Sequence, residues 1–265
     1  MGLYNNRIVV KVGTSTLTND AGKSDLRTTD RLACVLSDIQ NMGYEVVLVS
    51  SGAIAVGRNK LNMTAKPDSM RMKQAAAAVG QCSLMYLYDK FFGDYDKTVA
   101  QILLNADDIE EEEKKENLIN TFNALLEMGV IPIVNENDSV SYKEIESEDR
   151  LFGDNDMLSA VVAVLCRAKH LVIFSDIDGF YDHDPRLYPN AQLIDQIDTI
   201  DDSVYALAGG AGSRRGTGGM RTKLQAASLA TSQATNTIVT NGKRPEVLYD
   251  IVKGGRAGTL FPGKI

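Results

Sequence analysis

The sequence predicts an α/β protein, a three-layer sandwich with a mostly parallel central sheet. Short, mostly apolar runs at 8–12, 46–49, 130–134 and 171–174, broken only by Lys11 in the first, have the length and β-branched content of buried strands. Between them lie longer stretches whose apolar residues recur at helical spacing. Strands apolar on both faces and alternating with helices are those of a parallel sheet covered on both sides.

The elements follow in order. Residues 8–12 form the first strand. Leu32, Val35, Leu36 and Ile39 then mark a helix that Gly43 ends. The strand at 46–49 runs into Ser50-Ser51-Gly52-Ala53-Ile54-Ala55, and an alanine-rich helix is expected over 70–92. A strand at 98–104 precedes an amphipathic helix built on Leu118, Phe122, Leu125 and Leu126 and closed by Gly129. Pro132 belongs near an end or an edge of the strand at 130–134, because it cannot donate to a ladder. Asp154-Asn155-Asp156 opens a helix continuing through Leu158, Val161, Val162 and Leu165. A strand at 171–174, a helix over 221–231 and a strand at 238–239 complete the pattern.

The 265-residue chain is long enough for a large core, and its 44% hydrophobic and 24% charged residues are ordinary for a globular protein. A net charge of −7 argues against general affinity for nucleic acid or acidic membranes. The one cationic cluster, Arg214, Arg215, Arg221 and Lys223, suits a small polyanion. No apolar run reaches the ~18 residues of a membrane span, and Lys11 interrupts what would otherwise be a signal-peptide core. Cys34, Cys82 and Cys166 fall among helical apolar positions without Cys-x-x-Cys spacing. They are expected to be three unpaired buried thiols, as suits a reducing cytoplasm.

Polar residues and glycines gather where the predicted strands end, which is where ligands bind in open parallel sheets. These segments are Lys11 to Ser15, Ser50 to Ala53, Asn135 to Ser139, and Ser175 to Gly179. Taken singly, Ser51 or Asp154 reads equally well as a helix cap, and Asn137-Asp138 as a turn. Four strand ends polar in the same sense favour a site.

The most informative stretch is Gly216-Thr217-Gly218-Gly219-Met220-Arg221-Thr222-Lys223. Small residues opening onto a helix expose backbone N–H groups to an anion, and Lys223 adds a mobile positive charge. Other nucleotide and metal motifs fail on spacing. Leu17 stands where a P-loop needs its first glycine before Gly22-Lys23-Ser24, and Arg215 stands where a dinucleotide fingerprint after Gly210 and Gly212 needs its third. The acidic run Asp176, Asp178, Asp182, Asp184 lacks the glycine and glutamate of a calcium loop. With His170 and His183 alone, a histidine-based metal site or triad is improbable.

Five segments in order resemble the amino acid kinase family: Val10 to Ser15, Ser50 to Ala55, Asn135 to Asp138, Gly153 to Asp156, and Gly216 to Lys223. The resemblance runs from residue 8 to about residue 261 and implies a carbamate-kinase-like fold in a single domain. That domain would comprise an amino-acid-binding lobe over 1–168 and a nucleotide-binding lobe over 169–265. The form of the glycine loop is closest to members that phosphorylate the side-chain carboxylate of L-glutamate, the first step of proline biosynthesis. The aspartate, carbamate, acetylglutamate and UMP kinases are less similar there, and the substrate-binding histidine pattern of the isopentenyl phosphate kinases is not recognised.

The resemblance implies roles. Lys11 and Lys223 would contact the phosphates and the transition state, and Asp156 would hold both ammonium groups. Asp138 would meet the substrate's ammonium group, with Asp154 and Asn155 orienting the amino acid. Ser51 and the amides of Gly52 and Ala53 would hold a carboxylate. Lys11, Gly13, Thr14, Ser175, Asp176 and the run Thr217, Gly218, Gly219, Met220, Arg221, Thr222, Lys223 would line the ATP site. Mg²⁺ would be held mainly by phosphates and water, with no protein ligand assigned. A homo-oligomer, dimer or tetramer, and feedback inhibition by L-proline are family traits.

The alternatives are a kinase of N-acetylglutamate or aspartate, and a non-catalytic amino-acid sensor of the same fold. The chain departs from the family pattern in a longer acidic segment at 142–150, either a lid or a surface insertion. The sequence also ends soon after Phe261, where many relatives continue into a PUA domain linked to RNA binding, so no nucleic-acid partner is expected.

Overall fold

A computed structural model describes residues 2–19, 23–140, 155–208 and 219–264. Among them, seven strands form one sheet. They are β1 (Tyr4–Lys11), β2 (Glu45–Val49), β3 (Val99–Leu104), β4 (Ile131–Glu136), β5 (Ala168–Ser175), β6 (Asn236–Asn241) and β7 (Thr259–Phe261), in the order β3-β4-β2-β1-β5-β6-β7. Every pairing is parallel except that of β7 with β6. The helices are α1 (Thr14–Leu17), α2 (Leu26–Asn41), α3 (Ala53–Lys60), α4 (Met70–Gly93), α5 (Asp107–Glu110), α6 (Glu112–Glu127), α7 (Asn155–Leu165), α8 (Asp202–Ala208), α9 (Met220–Ser232) and α10 (Val247–Val252).

Two apolar layers sandwich the sheet. Successive residues of a strand face opposite sides, so Ile8 and Val10 enter one layer and Val9 the other. The Ile8 layer includes Leu36 of α2, Tyr88 of α4 and Leu248 of α10. The Val9 layer includes Phe122 of α6, Leu158 of α7 and Leu224 of α9. The same alternation carries Lys11 to the Val9 side, where α7 and α9 begin. Pro132 is the second residue of β4, and the pairing of β4 with β2 starts at Leu48↔Ile133, beyond the missing donor.

The closest helix contact is between α3 and α4. A Cβ on Gly57 would fall 1.8 Å from the carbonyl oxygen of Ala76, and one on Gly80 would fall 1.7 Å from that of Ala53. The helices cross backbone to backbone, which presses the first turn of α3 against the middle of α4.

One expectation about the thiols needs correction. Only Cys166 is buried; Cys34 is half-buried and Cys82 is exposed. The α4 side chains that join the Ile8 layer are Leu84, Tyr88 and Phe92, and Cys82 lies outside that stripe.

Candidate active site

Lys11 ends β1, and its ammonium nitrogen lies 2.6 Å from Oδ1 of Asp156 in the first turn of α7. Lys223, in the first turns of α9, places its nitrogen 3.0 Å from Oδ2 of the same carboxylate. The Thr222 hydroxyl lies within donating distance of both Asp156 Oδ2 and the Gly219 carbonyl, at 2.9 Å each. Asp156 is completely buried, and both lysines are nearly so. Burial alone would raise the Asp156 pKa. The two ammonium charges and their hydrogen bonds outweigh it and hold the carboxyl down at about 2, and the α7 N-terminus favours the anion further. One carboxylate thus binds the two cations the sequence singles out.

The loops after β1 and β2 pack together beside this cluster. Gly13 caps α1, and a Cβ there would sit 3.6 Å from the Lys11 nitrogen. Gly52 caps α3 at φ +91°, a left-handed conformation that favours glycine. A Cβ at that position would press within 3.3 Å of the Thr14 methyl. Gly52 therefore turns the chain so that Ser51 faces inward and Ala53 starts the helix.

Asn155 ties these loops to α7. Its Nδ2 shares two hydrogens among three acceptors, the Ser50 carbonyl at 3.0 Å, Ser51 Oγ at 2.8 Å and Asn135 Oδ1 at 3.2 Å. Asn135, at the end of β4, in turn donates through Nδ2 to Oε1 of Gln81 on α4 at 2.9 Å. Gln81, Ala53, Cys82, Glu136 and Asp138 share the wall of a cavity of about 460 Å³ at the carboxyl end of β3 and β4. Burial raises the Asp138 carboxyl to about 6.

The remaining candidates are spread more widely. Ser175 closes β5 and donates to Asp176 at 3.3 Å, while exposed Asp176 faces Arg186 at 3.5 Å. Gly219 caps α9 with open space where a Cβ would stand, and Met220 packs on the Val9 layer. The exposed Arg221 side chain lies over the Tyr205 ring, 5.9 Å from its centroid. Asp154, Thr217 and Gly218 lie outside the described residues, as does the segment 142–150. Gln81 was not singled out in the sequence, where it reads as one polar position on an alanine-rich helix.

The fold is that of an α/β protein with two buried lysines on one carboxylate at the carboxyl ends of parallel strands, an arrangement that concentrates positive charge where an anion could meet it. The chain belongs to the amino acid kinase family, whose model matches residues 6–241. It is 55% identical to a glutamate 5-kinase from Clostridium perfringens over 97% of this chain and 96% of that protein. Glutamate 5-kinases from Listeria innocua and Enterococcus faecalis are 50% and 48% identical, over 97% and 96% of this chain and 93% and 94% of theirs. Among solved structures, a carbamate kinase from Giardia lamblia bound to AMP-PNP superimposes with a TM-score of 0.67 at 15% identity, covering 98% of both chains. An isopentenyl phosphate kinase from T. acidophilum does so at 0.64 and 18%, covering 96% of this chain and 99% of that one. At these identities the structures speak to the fold. No helix among the described residues is long and apolar enough to cross a membrane.

Proposed function

We propose that this chain transfers the γ-phosphoryl group of ATP to the side-chain carboxylate of L-glutamate, giving L-glutamyl 5-phosphate. The observation that carries the reading is the pair of buried lysines sharing Asp156. Relatives 48–55% identical over almost the whole chain and named glutamate 5-kinase support the choice of acceptor.

The chemistry fits these residues. A glutamate side chain with a pKa of about 4.3 is already ionised at neutral pH, so no general base has to create the nucleophile. The obstacle is an anion approaching an anion. Lys11 and Lys223 offset it by neutralising charge on the transferring group, and their attachment to Asp156 fixes them before substrate arrives. The amino acid would lie in the cavity, its ammonium on Asp138 and its α-carboxylate toward Ser51 and the amides of Gly52 and Ala53 at the start of α3. Ser175, Asp176 and the segment from Thr217 to Lys223 would receive the nucleotide.

Mg²⁺ is expected with the nucleotide, supplying further charge neutralisation. Asp156, the carboxylate nearest the cationic pair, is already taken by two ammonium groups and the Thr222 hydroxyl, which suits an ion held through phosphates and water. The same reading makes the protein cytoplasmic and homo-oligomeric, with L-proline as a candidate inhibitor.

The test is ADP release by the purified protein with Mg-ATP and, separately, L-glutamate, N-acetyl-L-glutamate and L-aspartate. Release driven by L-glutamate alone is expected. A preference for the acetylated acid would contradict the role given to Asp138, and amino-acid binding without turnover would point to a sensor.

A further inference from the structure

The side chains of Gln81, Asn135 and Asn155 form a relay whose direction is fixed. The Ser50 carbonyl can only accept, so the Asn155 atom 3.0 Å from it is the amide nitrogen. Asn135 must then accept through Oδ1 and donate through Nδ2, and Gln81 must accept through Oε1. Nε2 of Gln81 is left over. No acceptor meets it among the described residues, and Gln81 stands on the cavity wall with Asp138. The backbone contact between Gly80 and Ala53 sets the next residue, Gln81, beside the first turn of α3.

The cavity therefore holds an anion, Asp138, and a committed N–H donor, Gln81, in one space. An α-amino acid carries its ammonium and carboxylate on a single carbon, so a site reading both must place an acceptor and a donor close together. Rotation of the Gln81 amide cannot turn its oxygen to the ligand without opposing the Asn135 donor.

Resting on the proposed function, we infer that Gln81 is a specificity-determining residue: its Nε2 donates to the α-carboxylate of the amino acid, and the Asn135–Asn155 relay locks it as a donor. A carboxylate rewards that donor with a charge-assisted hydrogen bond, whereas an α-amide offers a weaker acceptor and can present its own N–H groups to Nε2.

The experiment compares KM for L-glutamate with KI for its α-amide as a competitor, in the unmodified protein and in Gln81→Glu and Gln81→Met. The glutamate substitution keeps an oxygen for Asn135 and replaces the donor by an acceptor. It should raise KM for L-glutamate roughly tenfold or more and lower the KI-to-KM ratio by at least about tenfold. The KM for ATP should stay unchanged and kcat should stay within about threefold, because the lysine pair is untouched. The methionine variant, which keeps the volume without a donor, should lower the same ratio by roughly threefold. Thermal melts establish that each variant is folded. Folded variants with unchanged KM, or with KM and KI rising in parallel, overturn the role of Gln81. Failure of the unmodified protein to release ADP with L-glutamate would instead overturn the reaction itself.

Discussion

Lys11 and Lys223 bind opposite oxygens of one buried carboxylate, at 2.6 and 3.0 Å from Asp156. They come from the end of the central strand β1 and the start of α9, and α7 supplies the carboxylate between them. The geometry makes the two lysines interdependent, because each is positioned by a charge that the other shares.

Replacing Lys223 with methionine should remove one of the two charges on the transferring group while leaving Lys11 paired with Asp156. A fall in kcat of about 10²–10³, on the order of 3–4 kcal/mol, is expected from the loss of a single electrostatic contact of this kind. Single-turnover ADP release measures it. A kcat close to that of the unmodified protein would remove Lys223 from the mechanism.

Replacing Asp156 with asparagine should be more damaging to the fold, because two buried ammonium groups then lose their counter-charge. A stability loss of about 3–5 kcal/mol is expected in urea unfolding at neutral pH. The folded pKa of Asp156 lies near 2, below its ordinary 3.8, so its stabilising contribution is complete above pH ~4 and is lost as pH falls through about 2. An acid limb of activity near neutrality therefore does not come from Asp156.

Asp138 has the opposite sign. Its folded pKa is raised to about 6 from 3.8, so the folded protein holds that proton more tightly and loses stability as pH rises between those values. Asp138→Asn should stabilise the protein at pH 7.5 by up to ~3 kcal/mol while raising KM for L-glutamate. In the unmodified protein that KM should climb as pH falls below about 6, where the carboxyl is protonated and cannot meet an ammonium group. A pH-independent KM between pH 5 and 7.5 would separate Asp138 from substrate binding.

Gly57→Ala places a methyl where the Ala76 carbonyl oxygen already stands, so α3 and α4 must separate. Overpacking of this kind costs about 1–3 kcal/mol, and displacement of Ala53 and Gln81 should raise KM for L-glutamate more than KM for ATP. Thermal unfolding and initial-rate kinetics report the two effects independently.

Much of this architecture was legible in the sequence because buried parallel strands are written as unbroken apolar runs. Residues 46–49 and 171–174 need no partner to be identified, and the polar residues that follow them mark the ligand-binding edge. The terminal antiparallel strand β7, only three residues long, and the short helix α8 carry too few residues for periodicity to register. Lys11, Lys223 and Asp156 were legible as chemistry, and their convergence follows from β1 placing Lys11 on the Val9 face. Gln81 was not, because its function depends on which way two asparagine amides point, and that is decided by the carbonyl of Ser50. Gly57 and Gly80 look like helix-weakening residues until the crossing of α3 and α4 shows that no side chain fits.

The position of β1 between β2 and β5 has a consequence for how the protein is made. A ribosome delivers Lys11 early, yet its neighbours β5 and α9 are synthesised far later. Lys11 has no carboxylate until α7 is made, and Asp156 then has no second lysine until α9 follows, so the cationic pair is complete only after distant segments have closed around the first strand.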